Sequence, residues 1–158
     1  MAQTYLELVD QLVKNGLPVS KAVVKNAEVD VLATWSRVRI TLDTEVDGYE
    51  RQEDGTYKRD KTKVIFVSAF SVINVLRADD ESDAADAIPH LKKHTTAIGP
   101  VLKGAKLTLV RQDVKEGDTD AEGNVVDHDT IFWYIKDIEL SDKGNRRIEQ
   151  IINSLMGL

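Results

Sequence analysis

At 158 residues, with 42% hydrophobic and 30% charged residues, the chain has the size of one domain and enough apolar material for a core. No apolar run approaches the ~20 residues of a membrane-spanning helix, and the absence of cysteine excludes disulfides and thiolate zinc sites. The net charge of −6 argues against a generic polyanion binder, but residues 1–77 carry 11 Lys/Arg and 11 Asp/Glu, so the excess acid lies entirely in residues 78–158. Local basic patches, not the whole-chain sum, set polyanion affinity.

The chain opens with an amphipathic helix over residues 1–16. Thr4 is a cap candidate, Tyr5, Leu8, Val9, Leu12 and Val13 follow the i, i+3, i+4 pattern, and Asn15-Gly16 with Pro18 stop it. No signal-peptide layout is present, so a cytoplasmic location is expected. Residues 19–33 fit either a short helix capped by Ser20 or a β-branched strand. From residue 34 the pattern is β. The first strand spans about 34–47, and Asp54-Gly55 marks a hairpin turn. Residues 61–77 form a long apolar run, read as two strands split by a bend near Ser68–Ser71. Residues 79–98 switch to helical spacing, weakened by Pro89 and Thr95-Thr96 and ended by Gly99-Pro100. Residues 104–114 and 130–140 are the last two strands, joined by a polar loop, and residues 142–156 form a closing helix capped by Ser141 or Asp142.

The predicted fold class is mainly β with flanking helices. The order β-β-β-α-β-β fits an OB-fold-like five-stranded barrel over residues 34–140, with a helix at each end, all within one domain of residues 1–158. Other small β barrels and α+β sandwiches share that order.

Three segments suggest a ligand face. In "TWSRVRITLD", Val38, Ile40 and Leu42 alternate with Trp35, Arg37 and Arg39, which places an aromatic ring and two cations on the outer face. Aromatic platforms stack bases and cations meet phosphates, which is the chemistry of single-strand binding. The plainer alternative puts Trp35 under the N-terminal helix and pairs the arginines with nearby carboxylates. The hairpin interleaves Tyr57, Lys58, Arg59, Lys61 and Lys63, a basic arm able to close over a strand; alternatively it is a solvated hairpin whose charges blunt a sheet edge. In "IFWYIK", Ile131, Trp133 and Ile135 are assigned to the core and Phe132, Tyr134 and Lys136 to the ligand side, because Tyr and Lys carry polar ends.

Two metal readings are weaker. Asp118, Asp120, Glu122, Gly123 and Asp129 fall on a calcium-loop template, but Glu is unusual at its fifth position and Asp replaces the bidentate Glu at its twelfth. His90 and His94 are four residues apart and lack an evident third ligand. No bound metal or cofactor is therefore expected. No nucleophile elbow, P-loop or dinucleotide fingerprint occurs, so an enzyme is not expected.

Together, "TWSRVRITLD", "TYKRDKTKVIFVSAF" and "TIFWYIKDIEL" resemble single-stranded DNA-binding proteins of the phage or mobile-element kind. That resemblance implies an OB-fold, sequence-tolerant binding of single-stranded DNA, and a role in replication or recombination. The chain departs from the pattern at its end, where "RRIEQIINSLMGL" is an apolar helix rather than an acidic recruiting tail. That apolar end is expected to pack on the barrel or on another subunit, the terminal helices offering a contact for a second copy of the chain. The rival expectation is a structural or assembly component of a virion or complex, with no nucleic-acid ligand.

Overall fold

A computed structural model describes residues 4–78, 83–121 and 123–157. Helix α1 (Tyr5–Lys14) starts where expected: the Thr4 hydroxyl accepts from the Glu7 amide at 3.2 Å, and Tyr5, Val9 and Leu12 are buried. Residues 19–31 are strand, not helix. This strand, β1 (Val19–Val31), buries Ala22 and Val24, then changes parity at a bulge between Val24 and Asn26 and buries Ala27. The bulge hides the two-residue alternation from a reading of the sequence.

Strands β2 (Ser36–Arg51) and β3 (Tyr57–Ser68) form the hairpin turned at Asp54-Gly55. Val38, Ile40, Leu42, Ile65 and Val67 point into the core, as the alternation of β2 predicts. The expected third strand is overturned. Residues 69–77 are helix α2 (Ala69–Arg77), capped by the Ser68 hydroxyl, which accepts from the Ser71 amide at 3.1 Å. Ala69, Val72, Ile73 and Leu76 form its buried stripe. Both periods fit so continuous an apolar run, and the Ser cap decides for helix.

Helix α3 (Asp83–Lys93) runs through Pro89 and stops at His94. A single 3-10 turn (Thr95–Ala97) leads into helix α4 (Ile98–Leu102), so Gly99-Pro100 lies inside a helix and does not end one. Pro100 is tolerated in a first turn, where no intrahelical donor is needed. Gly99 is required by contact: a Cβ there would stand 2.7 Å from the Ala27 carbonyl oxygen, because α4 packs directly on the β1 backbone. Strands β4 (Lys106–Val114) and β5 (Thr130–Glu139) and helix α5 (Asp142–Leu155) follow the expected bounds. Ser141 caps α5 and also donates to the Lys103 carbonyl at 2.8 Å.

The strands form one antiparallel sheet in the order β3-β2-β1-β4-β5. The meander β1-β2-β3 with β4 returning beside β1 is a Greek-key arrangement. Residues 19–23 of β1 pair with β4 and residues 24–31 with β2, so the sheet turns at the β1 bulge and curls into a half-barrel. The sheet thus begins at Val19 rather than at residue 34. The number of strands matches the expectation only because β1 replaces the strand lost to α2. The Tyr5 hydroxyl locks α1 to β5, donating to the Ile135 carbonyl at 2.9 Å and accepting from the Ile135 amide at 2.8 Å. Among the described residues, no helix is long and apolar enough to cross a membrane.

Candidate functional site

Residues on the outer face of β2 and β3 alternate with the core residues, so Arg37, Arg39, Val64 and Phe66 share one side of the sheet. Trp35 does not lie on the strand. It closes the turn between β1 and β2, its carbonyl accepting from the Leu32 amide at 2.9 Å, and its side chain is 49% exposed. It is therefore not under the N-terminal helix. Phe66, 48% exposed, lies beneath the Arg37 guanidinium, whose centre stands 4.5 Å from the ring centroid.

A groove of about 830 Å³ borders this face, lined by consecutive residues of the two edge strands, 64–68 of β3 and 130–134 of β5. The β1–β2 turn supplies Trp35, β3 supplies Phe66, and the hairpin supplies Tyr49 and Tyr57. From β5 come Phe132, Trp133 and Tyr134, and from the β4–β5 loop Asp120 and His128. Seven of the nine aromatic residues of the chain therefore line one groove, which scattered surface aromatics would not do.

Compared with known protein families, curated proteins and solved structures, the chain matches none.

The charge of the groove is more balanced than the sequence suggests. Arg37 faces Asp30 in the β1–β2 register and pairs with it at 3.0 Å. Arg39 faces and pairs with Glu28 in the same way. The Arg37 Nε is buried with no hydrogen-bond partner among the described residues. Arg59 and Lys61 converge on Asp47, at 3.1 and 2.5 Å, and Arg111 of β4 joins them at 2.7 Å. Lys61, Arg111 and Arg59, in that order, hold the Asp47 carboxyl far below the usual carboxylate range. Arg111 also chelates Asp113 through Nε and Nη2 at 2.6 and 2.9 Å, which lowers the Asp113 carboxyl and raises the Arg111 guanidinium. Arg59 is raised chiefly by its bond to Asp47. The expected row of exposed cations is thus largely neutralised by carboxylates from neighbouring strands. Lys58 and Lys63 are exposed and form no ion pair among the described residues. Lys61 and the two outer-face arginines line the groove together with Asp47, Glu50, Asp60 and Asp120.

The face assignment of β5 needs correction. Tyr134 is 8% exposed and its hydroxyl donates to Gln112 Oε1 at 3.2 Å, while Ile135 is fully buried. Successive strand residues point to opposite faces, so β5 is covered on both sides there. Tyr134 consequently offers little ring surface to a ligand. Lys136 sits at a register shift in the β4–β5 pairing, exposed and away from the groove lining. Trp133, assigned to the core, is half-buried and lines the groove.

Tyr57, the first residue of β3, stacks on His128 with centroids 3.7 Å apart and planes 6° apart. Phe66, Trp133 and His128 are the site residues that sequence reasoning missed. Phe66 was legible from its spacing with Val64 across from Arg39, whereas His128 carried no local signal. His90 and His94 sit ring to ring at 4.8 Å, with no third ligand among the described residues. In the acidic loop, Asp120 Oδ1 accepts from the Asn124 amide and Asp129 Oδ1 from the Glu116 amide, each at 2.9 Å, so these carboxylates serve as turn caps. Glu122 of the calcium template lies outside the described residues. No group of three His, Asp or Glu able to hold a metal occurs among the described residues.

Proposed function

We propose that the protein binds single-stranded nucleic acid, single-stranded DNA in the first instance, along the aromatic groove, with little sequence preference. The observation that carries this reading is the gathering of Trp35, Phe66, Tyr57 and Trp133 around one groove, because every base has a π face to stack on such rings. The location supports it as well. OB-folds bind oligonucleotides across strands 2 and 3, between the loops that join strands 1–2 and 4–5. Here the groove is lined by β2, β3 and β5, with Trp35 from the first of those loops and His128 from the second. A five-stranded antiparallel sheet curled into a half-barrel is compatible with such a partly open barrel.

In this reading Trp35 and Phe66 stack bases and Arg37 and Arg39 meet phosphates in the groove, while Lys58 and Lys63, outside its lining, meet phosphates beyond it. Arg59 and Lys61 act as phosphate ligands only when drawn away from Asp47. Tyr134 and Lys136 take no part. The protein works by binding and not by catalysis, in replication or recombination. Because most groove cations already have protein counter-charges, few counterions are released, and the salt dependence of binding is shallow. Titration with oligo-dT at low salt, followed by tryptophan fluorescence, tests the proposal. Quenching that saturates supports it, and an unchanged emission refutes it.

The four carboxylates in the groove favour a second reading, an assembly role in which a protein segment occupies the same aromatic face. A defined oligomer in light scattering, with no affinity for oligo-dT, selects it.

A further inference from the structure

The Tyr57–His128 ring pair joins two segments that no strand pairing connects. Tyr57 begins β3 at the tip of the hairpin, and His128 closes the β4–β5 loop. Both line the groove. The loop is folded on itself before it reaches His128: the Val126 amide donates to the Asp118 carbonyl at 2.9 Å and the Gly117 amide to the Val126 carbonyl at 3.0 Å. His128 Nδ1 is held by Asp127 Oδ1 at 2.6 Å. The imidazole is therefore set in place from its own side, and the phenol from the hairpin side.

The geometry of the pair is informative. Centroids 3.7 Å apart with planes 6° apart describe a nearly face-to-face sandwich. Aromatic side chains prefer offset or edge-to-face contacts at 4.5–7 Å, because the ring quadrupoles repel in a sandwich. The 3.7 Å separation is that of stacked π faces, the contact a nucleobase also makes with an aromatic side chain. Tyr57 is 38% exposed, so the pair sits at the mouth of the groove and not in the core.

We infer that Tyr57 and His128 form an aromatic clasp that a nucleobase enters, the two rings parting by about one stacking layer (~3.4 Å, the rise per base) to hold it between them. This rests on the reading of the groove as a single-strand site, and it adds a subsite that takes the base rather than the phosphate. The ring faces supply contact on both sides of the base, which one-sided platforms such as Trp35 do not. The neighbouring acids, Asp120 and Asp127, disfavour a phosphate at the same point. The clasp also closes the groove over the strand, since its two halves belong to the hairpin and to the β4–β5 loop.

The test uses the full chain, histidine-ring NMR and two 12-mers, dT and an abasic deoxyribose-phosphate strand. The His128 signal is identified by its loss in His128→Gln. In the free protein it is ring-current shifted, and Tyr57→Leu abolishes that shift. Addition of dT moves the His128 signal and the abasic strand does not. Tyr57→Leu weakens dT binding about tenfold, while Tyr57→Phe, which keeps the ring, binds within twofold of the parent. If dT quenches tryptophan emission but leaves the His128 signal in place, or Tyr57→Leu binds like the parent, the clasp is refuted and the groove reading stands. If dT produces no quenching at low salt, the groove reading falls and the clasp with it.

Discussion

Replacing Asp47 by Asn separates the stabilising role of the ion cluster from the binding role of its cations. Asp47 of β2 holds Arg59 and Lys61 of β3 and Arg111 of β4, so it ties three strands together where β1 leaves the hairpin unsupported. Arg59 and Lys61 are half-exposed, so solvent screens their pairs and they contribute little. Arg111 is four-fifths covered, and its charge-assisted bond contributes ~1–1.5 kcal/mol. An Asn still accepts one hydrogen bond, so the expected loss is at most about 1.5 kcal/mol, or ~3–6 °C in Tm for a chain of this length. The pH dependence has a definite sign. The folded-state carboxyl lies below its ordinary 3.8, so its contribution is complete above that value and is lost as the pH falls through the depressed one. The Tm gap between the two proteins is therefore widest at neutral pH and narrows below about pH 4. Binding moves the other way. Lys61 lines the groove and is released by the substitution, so Asp47→Asn binds oligo-dT more tightly and its log–log salt slope steepens by about 0.7. Circular dichroism melts at pH 7 and pH 3, with anisotropy titrations from 50 to 300 mM NaCl, measure both. A variant that melts with the parent at pH 7 would show that the cluster contributes nothing.

Trp35→Ala lowers oligo-dT affinity by about 5- to 150-fold in anisotropy, from the ~1–3 kcal/mol of one stacked base, and leaves Tm within 2 °C because the ring is half-exposed. Tyr5→Phe deprives the Ile135 amide and carbonyl of their buried hydroxyl partner, costing about 1–3 kcal/mol, and urea unfolding reads it as a lower midpoint at unchanged m. Gly99→Ala drives a methyl against the Ala27 carbonyl, backbone against backbone, so α4 must lift from β1; the expected cost is ~1–3 kcal/mol, seen as a Tm lowered by several degrees.

Local signals made part of the fold readable. Thr4 and Ser141 cap helices whose apolar stripes carry the helical period, and Asp54-Gly55 turns a hairpin, because caps and turns are decided within a few residues. Reading failed where a local preference was evenly divided. The bulge in β1 scrambles its alternation, and residues 69–77 suit either period until Ser68 caps them. In the candidate site, the alternation of Arg37 and Arg39 with Val38 and Ile40 was legible, and the exposure of Trp35 agreed with it. Their carboxylate partners were not, since Asp30 and Glu28 face them only through the β1–β2 register. His128 reaches Tyr57 across 71 positions of chain, beyond the range of any motif.

By itself, the sequence determined the terminal helices, the hairpin, the last two strands and which side of β2 enters the core, all consequences of period and turn chemistry between near neighbours. Only the tertiary structure decided that Asp47 gathers cations from two other strands, that Tyr134 is covered, and that seven aromatic rings share one groove. Those outcomes depend on strand register and on the curl at the β1 bulge, which bring together residues whose distance along the chain carries no record of their contact.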